Sequence, residues 1–266
     1  MTSASRTYPL STKTGLVEVT VTDSGEGRPF LLLHGGGGPQ TIAAFADLLS
    51  SSKDVRVITP VHPGFNGTVR PDALASVGGL AALYVALLDE MGLSDVTVVG
   101  NSMGGWIAAE MALLHSSRIS GVVIVDGVGI EVPGHPVADF FSLTMDQVAK
   151  LSYYDPEKFG IDPSKLPPAA QAAMAGNRAS LAVYAGATMG DPSLAGRLAD
   201  VAVPTLVLWG EADRIGDPDF GRAFAAAIPG AHFRLLTGTG HLPQIETPEQ
   251  LLEAVWTFAG TNRARA

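Results

Sequence analysis

The run Val98-Val99-Gly100-Asn101-Ser102-Met103-Gly104-Gly105 sets a serine between glycines, directly after an apolar stretch and before a helical pattern continuing through Ile107, Met111 and Leu114. A serine at a sharp strand-to-helix turn sits on strained backbone that pushes its hydroxyl out of the sheet edge, and only glycine at the flanking positions leaves space. The helix that follows aims backbone N–H groups and its positive dipole end at the same point, where negative charge develops when a hydroxyl attacks a carbonyl. Ser102 is therefore the candidate nucleophile. A glycine-rich turn carrying an idle serine has the same local pattern, so the case depends on the other parts of the machinery.

One part is a donor pair for the developing charge. The apolar run Phe30 to Leu33 ends in His34-Gly35-Gly36-Gly37-Gly38-Pro39, where consecutive glycines leave backbone amides uncovered by side chains. Acyl transfer needs such donors where the tetrahedral oxygen will lie, and the Gly36 and Met103 amides are assigned to it. A phosphate loop is the competing reading; it fails because no Gly-Lys-Ser/Thr follows and the Gly-x-Gly-x-x-Gly spacing is absent. His34 reads as a structural residue holding this loop.

Another part is a base with its orienting acid. His241, in Thr237-Gly238-Thr239-Gly240-His241-Leu242-Pro243, lies between the last apolar strand and the last helix, at the end of the sheet where open α/β folds place ligands. Asp213, in Trp209-Gly210-Glu211-Ala212-Asp213-Arg214, follows the penultimate strand and completes the order serine, aspartate, histidine. It would hold the imidazole tautomer and stabilise the imidazolium. Asp126, at the end of Val122 to Val125, is the runner-up acid, while Glu211 and Asp217 read as surface charges. His62, His115, His135 and His232 are expected to have no catalytic role.

To position these groups the strands must end side by side. Short β-branched runs alternate with longer helical patterns, which reads as an α/β protein with a mostly parallel sheet of about eight strands flanked by helices. Phe30–Leu33, Val55–Ile58, Val96–Val99, Val122–Val125, Thr205–Leu208 and Phe233–Leu236 read as buried strands; Leu16 to Val21 alternates like a half-exposed strand in a hairpin turning at Thr14-Gly15. Ser76 caps a helix running to about Met91, and Thr247-Pro248-Glu249-Gln250 combines an N-cap, a first-turn proline and a reciprocal glutamine. The alternation lapses from about Glu131 to Gly196, a proline-interrupted helical stretch that reads as a cap. The expected organisation is a core of residues 1–130 and 197–266 with a helical cap, 131–196, inserted after the sixth strand; Thr261 to Ala266 is expected to fray.

Composition narrows the partners. A net charge of -9 with no Lys/Arg block argues against nucleic acid or an anionic membrane. With no cysteine, disulfides, a thiolate nucleophile and cysteine-based metal sites are excluded. Met1 to Thr14 has no apolar signal core, and the run Leu80 to Leu88 is stopped by Asp89-Glu90 before it could span a bilayer. A soluble, cytoplasmic protein is expected, with a small-molecule substrate, no cofactor and no metal; a homodimer stays open.

These pieces together resemble the α/β-hydrolase fold over essentially the full length: the His34-Gly35 loop, Pro63-Gly64-Phe65, Gly100 to Gly105, Trp209-Gly210-Glu211-x-Asp213-Arg214 and Gly240-His241-x-x-x-x-Glu246. The resemblance implies a serine hydrolase. Asn101 to Gly105 is also similar to the elbow of C–C bond hydrolases acting on meta-ring-fission products, and Asn177-Arg178-x-x-Leu181 falls where those enzymes carry an arginine that meets a substrate carboxylate. Leu242 stands where they usually have tryptophan, and the glycine loop from Gly35 to Pro39 runs differently. The first expectation is therefore a carboxylesterase for largely apolar esters, the second a C–C hydrolase for a vinylogous diketone acid. A small-molecule receptor on the same scaffold is the reading from another class.

Substrate contacts are expected from Gly37, Asn101, Trp106, Phe140, Arg178 and Leu242. For Phe140 and Trp106 packing is an equal expectation, and for Arg178 a surface salt bridge is the first expectation, ahead of a substrate carboxylate. Activity is expected to fall on the acid side as His241 takes up a proton.

Overall fold

The computed structural model describes residues 3–12 and 15–263. Eight strands form one sheet in the order β1-β2-β4-β3-β5-β6-β7-β8. They are β1 (Ser3–Thr12), β2 (Gly15–Gly25), β3 (Arg28–Leu33), β4 (Val55–Pro60), β5 (Val96–Asn101), β6 (Ile119–Val125), β7 (Thr205–Gly210) and β8 (His232–Leu236). Strands β3 to β8 run parallel, while β2 is antiparallel to both β1 and β4. The hairpin joining β1 and β2 has Thr12 opposite Gly15; the Thr14 half of its expected turn lies outside the described residues.

The continuous apolar strands have a physical reason. Alternate residues point to opposite faces, and both faces here are covered. Leu31, Leu33, Val98, Val122 and Ile124 join one core, while Phe30, Leu32, Val99, Val123 and Val125 join the other. The first core receives α2 (Val77–Glu90), α3 (Met103–Leu113) and α8 (Pro218–Ala226); the second receives α1 (Gln40–Ser52) and α10 (Pro248–Arg263). Helix α1 buries Ile42, Phe45, Ala46 and Leu49, one stripe at helical spacing. Helix α3 buries every residue from Met103 to Ala112, which fixes the serine turn at its start in rigid surroundings.

Between β6 and β7 lie α4 (Met145–Ser152), α5 (Pro156–Phe159), α6 (Pro168–Ala185) and α7 (Leu194–Arg197); α9 (Pro243–Glu246) is a single turn before α10. Over 131–196 no residue falls in a strand, and an isolated parallel bridge joins Gly190 to Gly129, just before the segment. Among the described residues no helix is long and apolar enough to cross a membrane.

Three local expectations are corrected. Strand β8 is an edge strand with alternating exposure, not a buried one, because nothing pairs beyond it. The reciprocal cap at Thr247 does not form. Gln250 donates instead to the Thr237 carbonyl at 3.0 Å, and the buried Thr247 hydroxyl has no partner. Helix α10 continues through Arg263, past the point where fraying was expected, and residues 264–266 lie outside the described residues. Ser76, by contrast, accepts from the Gly79 amide at 3.1 Å as its position suggested.

Candidate active site

Ser102 sits between β5 and α3 with φ 57° and ψ -119°. A non-glycine residue in this region carries strain of about 1–3 kcal/mol, and the surroundings enforce it. The Ser102 amide donates to the Val125 carbonyl at 2.9 Å, and its own carbonyl accepts from Gly105 and Trp106. The flanking glycines are required by close approach. A Cβ on Gly100 would lie 2.0 Å from the Gly104 carbonyl oxygen, and one on Gly104 would lie 2.2 Å from that of Leu33. The turn therefore closes only on glycine, and Ser102 keeps partial exposure in an otherwise buried segment.

His241 and Asp213 meet. Nδ1 of the imidazole is 2.8 Å from Asp213 Oδ2, with side-chain exposures of 8% and 0%. Asp213 Oδ1 accepts from the amides of Ile215 at 2.8 Å and Gly216 at 3.4 Å, which fixes the carboxylate and turns its second oxygen toward the ring. Among the described residues the Ser102 hydroxyl makes no protein hydrogen bond, to His241 or otherwise; catalytic hydrogen bonds often tighten only when substrate is bound. What holds the serine and histidine segments together is Asn101. Its Nδ2 donates to the His241 carbonyl at 2.9 Å and to that of Val125 at 3.3 Å, and its Oδ1 accepts from Gln244 Nε2 at 3.1 Å. Both its N–H donors and one lone pair of its oxygen are engaged, and it is buried. The expectation that Asn101 contacts substrate is corrected accordingly: it is a tie between loops.

The amides of Gly36 and Met103 donate to no protein acceptor among the described residues, while Gly36 stays partly exposed and Gly37 exposed. A chain of neutral imidazoles supports the loop. His62 N–H donates to His34 Nε2 at 3.1 Å, so that nitrogen carries no proton and His34 Nδ1–H donates to the Gly35 carbonyl at 2.8 Å. The other ring follows suit: His62 Nε2–H reaches the His34 carbonyl at 2.8 Å, and its Nδ1 accepts from the Tyr84 hydroxyl. Burial drives His34 down to about 4 against the opposing pull of the Gly35 bond, and pushes His62 well below the ordinary histidine value. His34 is thus a loop-holding group. His62, with no role expected beyond its turn, is part of the same support.

The cap touches both loops. On α6, Asn177 Nδ2 donates to the Gly37 carbonyl at 3.1 Å and its Oδ1 accepts from the Asn66 amide at 2.7 Å. One turn along, Ser180 Oγ donates to the Gly64 carbonyl at 2.7 Å, and Tyr184 donates to that of Pro63 at 2.9 Å. Leu181, on the same face, lies against Gly36, where a Cβ would meet its Cδ2 at 2.6 Å. From the other side the Ser152 carbonyl accepts from the His241 amide at 2.6 Å, and Glu246 accepts from the amides of Gly240, Tyr154 and Asp155.

The remaining substrate-contact expectations divide. Trp106 is buried, packed under Gly129 with Nε1 directed at Glu110 Oε1 at 3.4 Å, so it belongs to the core and not to a pocket wall. Arg178 forms no salt bridge among the described residues, which corrects the surface pair expected first for it. Its Nη2 donates to the carbonyls of Phe140, Phe141 and Leu143 at 2.8, 3.0 and 3.1 Å, and the guanidinium stacks 4.8 Å from the Phe140 ring centre. Phe140 and Leu242 are half-buried. Of the charges read as superficial, Glu211 accepts from the Gly238 amide, and Asp217 caps α8 and pairs with His135 at 2.8 Å. Asp126 lies beside the acid: one oxygen each from Asp126 and Asp213 and one nitrogen of His241 fall within 4.8 Å of one another. That trio matches no expected metal site, since its histidine nitrogen and Asp213 already serve each other.

Comparison with known proteins bears on the family and the fold. The family model described as the alpha/beta hydrolase family matches residues 30–254. A 2-hydroxymuconate semialdehyde hydrolase from Pseudomonas putida is 30% identical, covering 89% of this chain and 88% of that protein. A 2-hydroxy-6-oxo-6-(2'-aminophenyl)hexa-2,4-dienoic acid hydrolase from Metapseudomonas resinovorans is 25% identical over 92% of this chain and 88% of its own. Among solved structures, a thermophilic esterase from Thermogutta terrifontis superposes with a TM-score of 0.77 at 24% identity, covering 97% of this chain and 99% of that one, which speaks to fold. On the family model and the near full-length relative, this chain belongs to the alpha/beta hydrolase family.

Proposed function

We propose that this hydrolase cleaves a carbon–carbon bond in a vinylogous diketone acid, with Ser102 as nucleophile, His241 as base and Asp213 as its orienting acid. The observation that carries this order of preference is the naming of the near full-length relatives, both of which act on such dienoic or semialdehyde acids. It reverses the ranking suggested by sequence, which put a simple ester first. The half-buried Arg178, without a carboxylate partner among the described residues, supports the reading as a cation in the cap available to an acidic substrate.

In the proposed reaction Ser102 Oγ attacks the substrate carbonyl as His241 Nε2 takes its proton. The new oxyanion is stabilised by the Gly36 and Met103 amides. Collapse breaks the C–C bond, its electron pair passes into the conjugated dienol, and the proton on His241 is returned to that fragment. Water then attacks the acyl-serine with His241 again as base, releasing the acid and restoring Ser102. Asp213 accepts from the ring Nδ1–H and stabilises the imidazolium.

An ester substrate is the second reading, favoured by one observation: Arg178 Nη2 already donates to three cap carbonyls, which leaves less of the guanidinium for a carboxylate. A panel separates the two. A vinylogous diketone acid is assayed by loss of its dienol absorbance beside p-nitrophenyl esters of increasing chain length. The proposal expects kcat/KM for the diketone acid to exceed that for the best ester by about a hundredfold or more, the size of two well-placed interactions. Turnover of esters with none of the diketone acid would overturn it.

A further inference from the structure

Asp126 is a buried carboxyl that the scheme above does not use. It directly follows β6 with a backbone φ of 45° and is fully buried, and its carboxyl accepts at Oδ1 from the Gly210 amide at 2.7 Å. No N–H or hydroxyl donor reaches the buried Oδ2, so only a proton of its own could bond it to a neighbouring acceptor such as the Asp213 carboxylate. Its oxygen lies in the same 4.8 Å cluster as the Asp213 carboxylate and the His241 ring.

Two carboxyls this close in a dry site do not both ionise. The structure also shows which one keeps the charge. Asp213 receives two backbone amides and the imidazole N–H, whereas Asp126 receives one amide. Three donors stabilise an anion better than one. The proton therefore belongs to Asp126, on the oxygen that receives no donor.

We propose that Asp126 is a neutral carboxylic acid at physiological pH and a positioning residue for Asp213, its Oδ2 proton directed at the Asp213 carboxylate so that the negative charge of the pair stays on the side facing His241. This rests on the assignment of Asp213 and His241 as acid and base. The groups bearing on Asp126 are Asp213 from the β7–α8 loop, His241 from the loop after β8, and Glu246 from α9, with the Gly210 amide from β7. Burial first, then the Asp213 charge, drive its affinity for the proton well above that of an ordinary aspartate. With Asp126 neutral, its O–H helps to hold the Asp213 carboxylate in place, and the imidazole N–H has a single anion to pair with.

The test uses the rate of serine labelling by a fluorophosphonate as a function of pH, which needs no natural substrate, together with difference infrared spectroscopy on the whole protein. Asp126→Ala removes the donor and is expected to label about ten- to a hundredfold more slowly, the usual scale for a displaced catalytic group. Asp126→Asn keeps an N–H donor and no charge, and is expected to rescue labelling with the acid limb of the pH profile unmoved. The wild type is expected to show a protonated carboxyl band at neutral pH that Asp126→Asn lacks. If Asp126 is instead ionised, Asp126→Asn deletes an anion beside His241, the limb moves down by about one unit or more, and the band is absent; either result overturns the proposal. So does labelling that neither substitution alters. Failure of the wild type to label at all would count against the nucleophile assignment, and the infrared band would still decide the state of Asp126.

Discussion

Lowering the pH should unfasten the glycine loop through His34, and the size of the effect follows from its bonds. In the folded protein His34 Nε2 faces the His62 backbone N–H, so a proton arriving there opposes a donor already in place, in a fully buried position. The folded value of about 4 lies below the ordinary 6.5 of the unfolded chain. The unfolded state therefore binds more protons between these limits, and stability rises with pH there. The contribution is fully present above about 6.5 and is lost as pH falls toward 4. At pH 5 the linkage relation gives a loss of about 2 kcal/mol for His34 alone, and His62 acts in the same direction. With an m value of about 2 kcal/mol/M, the urea midpoint should drop by about 1 M between pH 7.5 and 5. Carboxylates also titrate in this window, so the decisive quantity is the difference from His34→Gln, in which this share of the drop should vanish. Should that variant fold poorly, the wild-type His34 ring proton resonance provides the check: it should not move between pH 7.5 and 5. Equal pH dependence in the two proteins, or an ordinary titration of the His34 resonance, would refute the reasoning.

Two further outcomes follow from contacts around the serine turn and cap. Gly104→Ala puts a methyl 2.2 Å from the Leu33 carbonyl oxygen, backbone that cannot yield, so we expect a loss of about 3 kcal/mol or more and no labelling of Ser102, read by thermal unfolding and intact mass. Asn177→Ala unpairs the Gly37 carbonyl and the Asn66 amide, at a cost of about 1–3 kcal/mol in denaturant titration. Because Asn177 joins the cap to the glycine loop, kcat should fall with it; an unchanged kcat would show that the loop does not need the cap.

What was legible in the sequence is what local sterics and strand order dictate. The Ser102 turn could be read because its two glycines are demanded by backbone contacts within a few residues. Asp213 and His241 could be placed because β7 and β8 are adjacent and parallel, so the segments after them leave the same edge. The buried strands could be read for the same reason that both faces are covered. The misread features were those decided by distant partners. Gln250 was expected to close a cap and was drawn to Thr237; Asn101 was expected to meet substrate and is tied to His241 and Gln244, more than a hundred residues away in the chain. The tie of Glu246 to Tyr154 and Asp155 crosses from core to cap and has no periodic signal at all, though its place after Gly240-His241 marked it as part of the pattern. Trp106 lies next to the serine in sequence, yet α3 is buried on every side and turns that ring into the core.

The most direct trial of the central assignment is stoichiometric reaction with a fluorophosphonate, followed by peptide mapping of wild type, Ser102→Ala and His241→Gln. One adduct per chain on residue 102, none in the alanine variant and a labelling rate at least a hundredfold lower without the imidazole (about 3 kcal/mol of activation) is the expected result. An adduct mapped to another residue, or a serine that labels equally fast without His241, would contradict it.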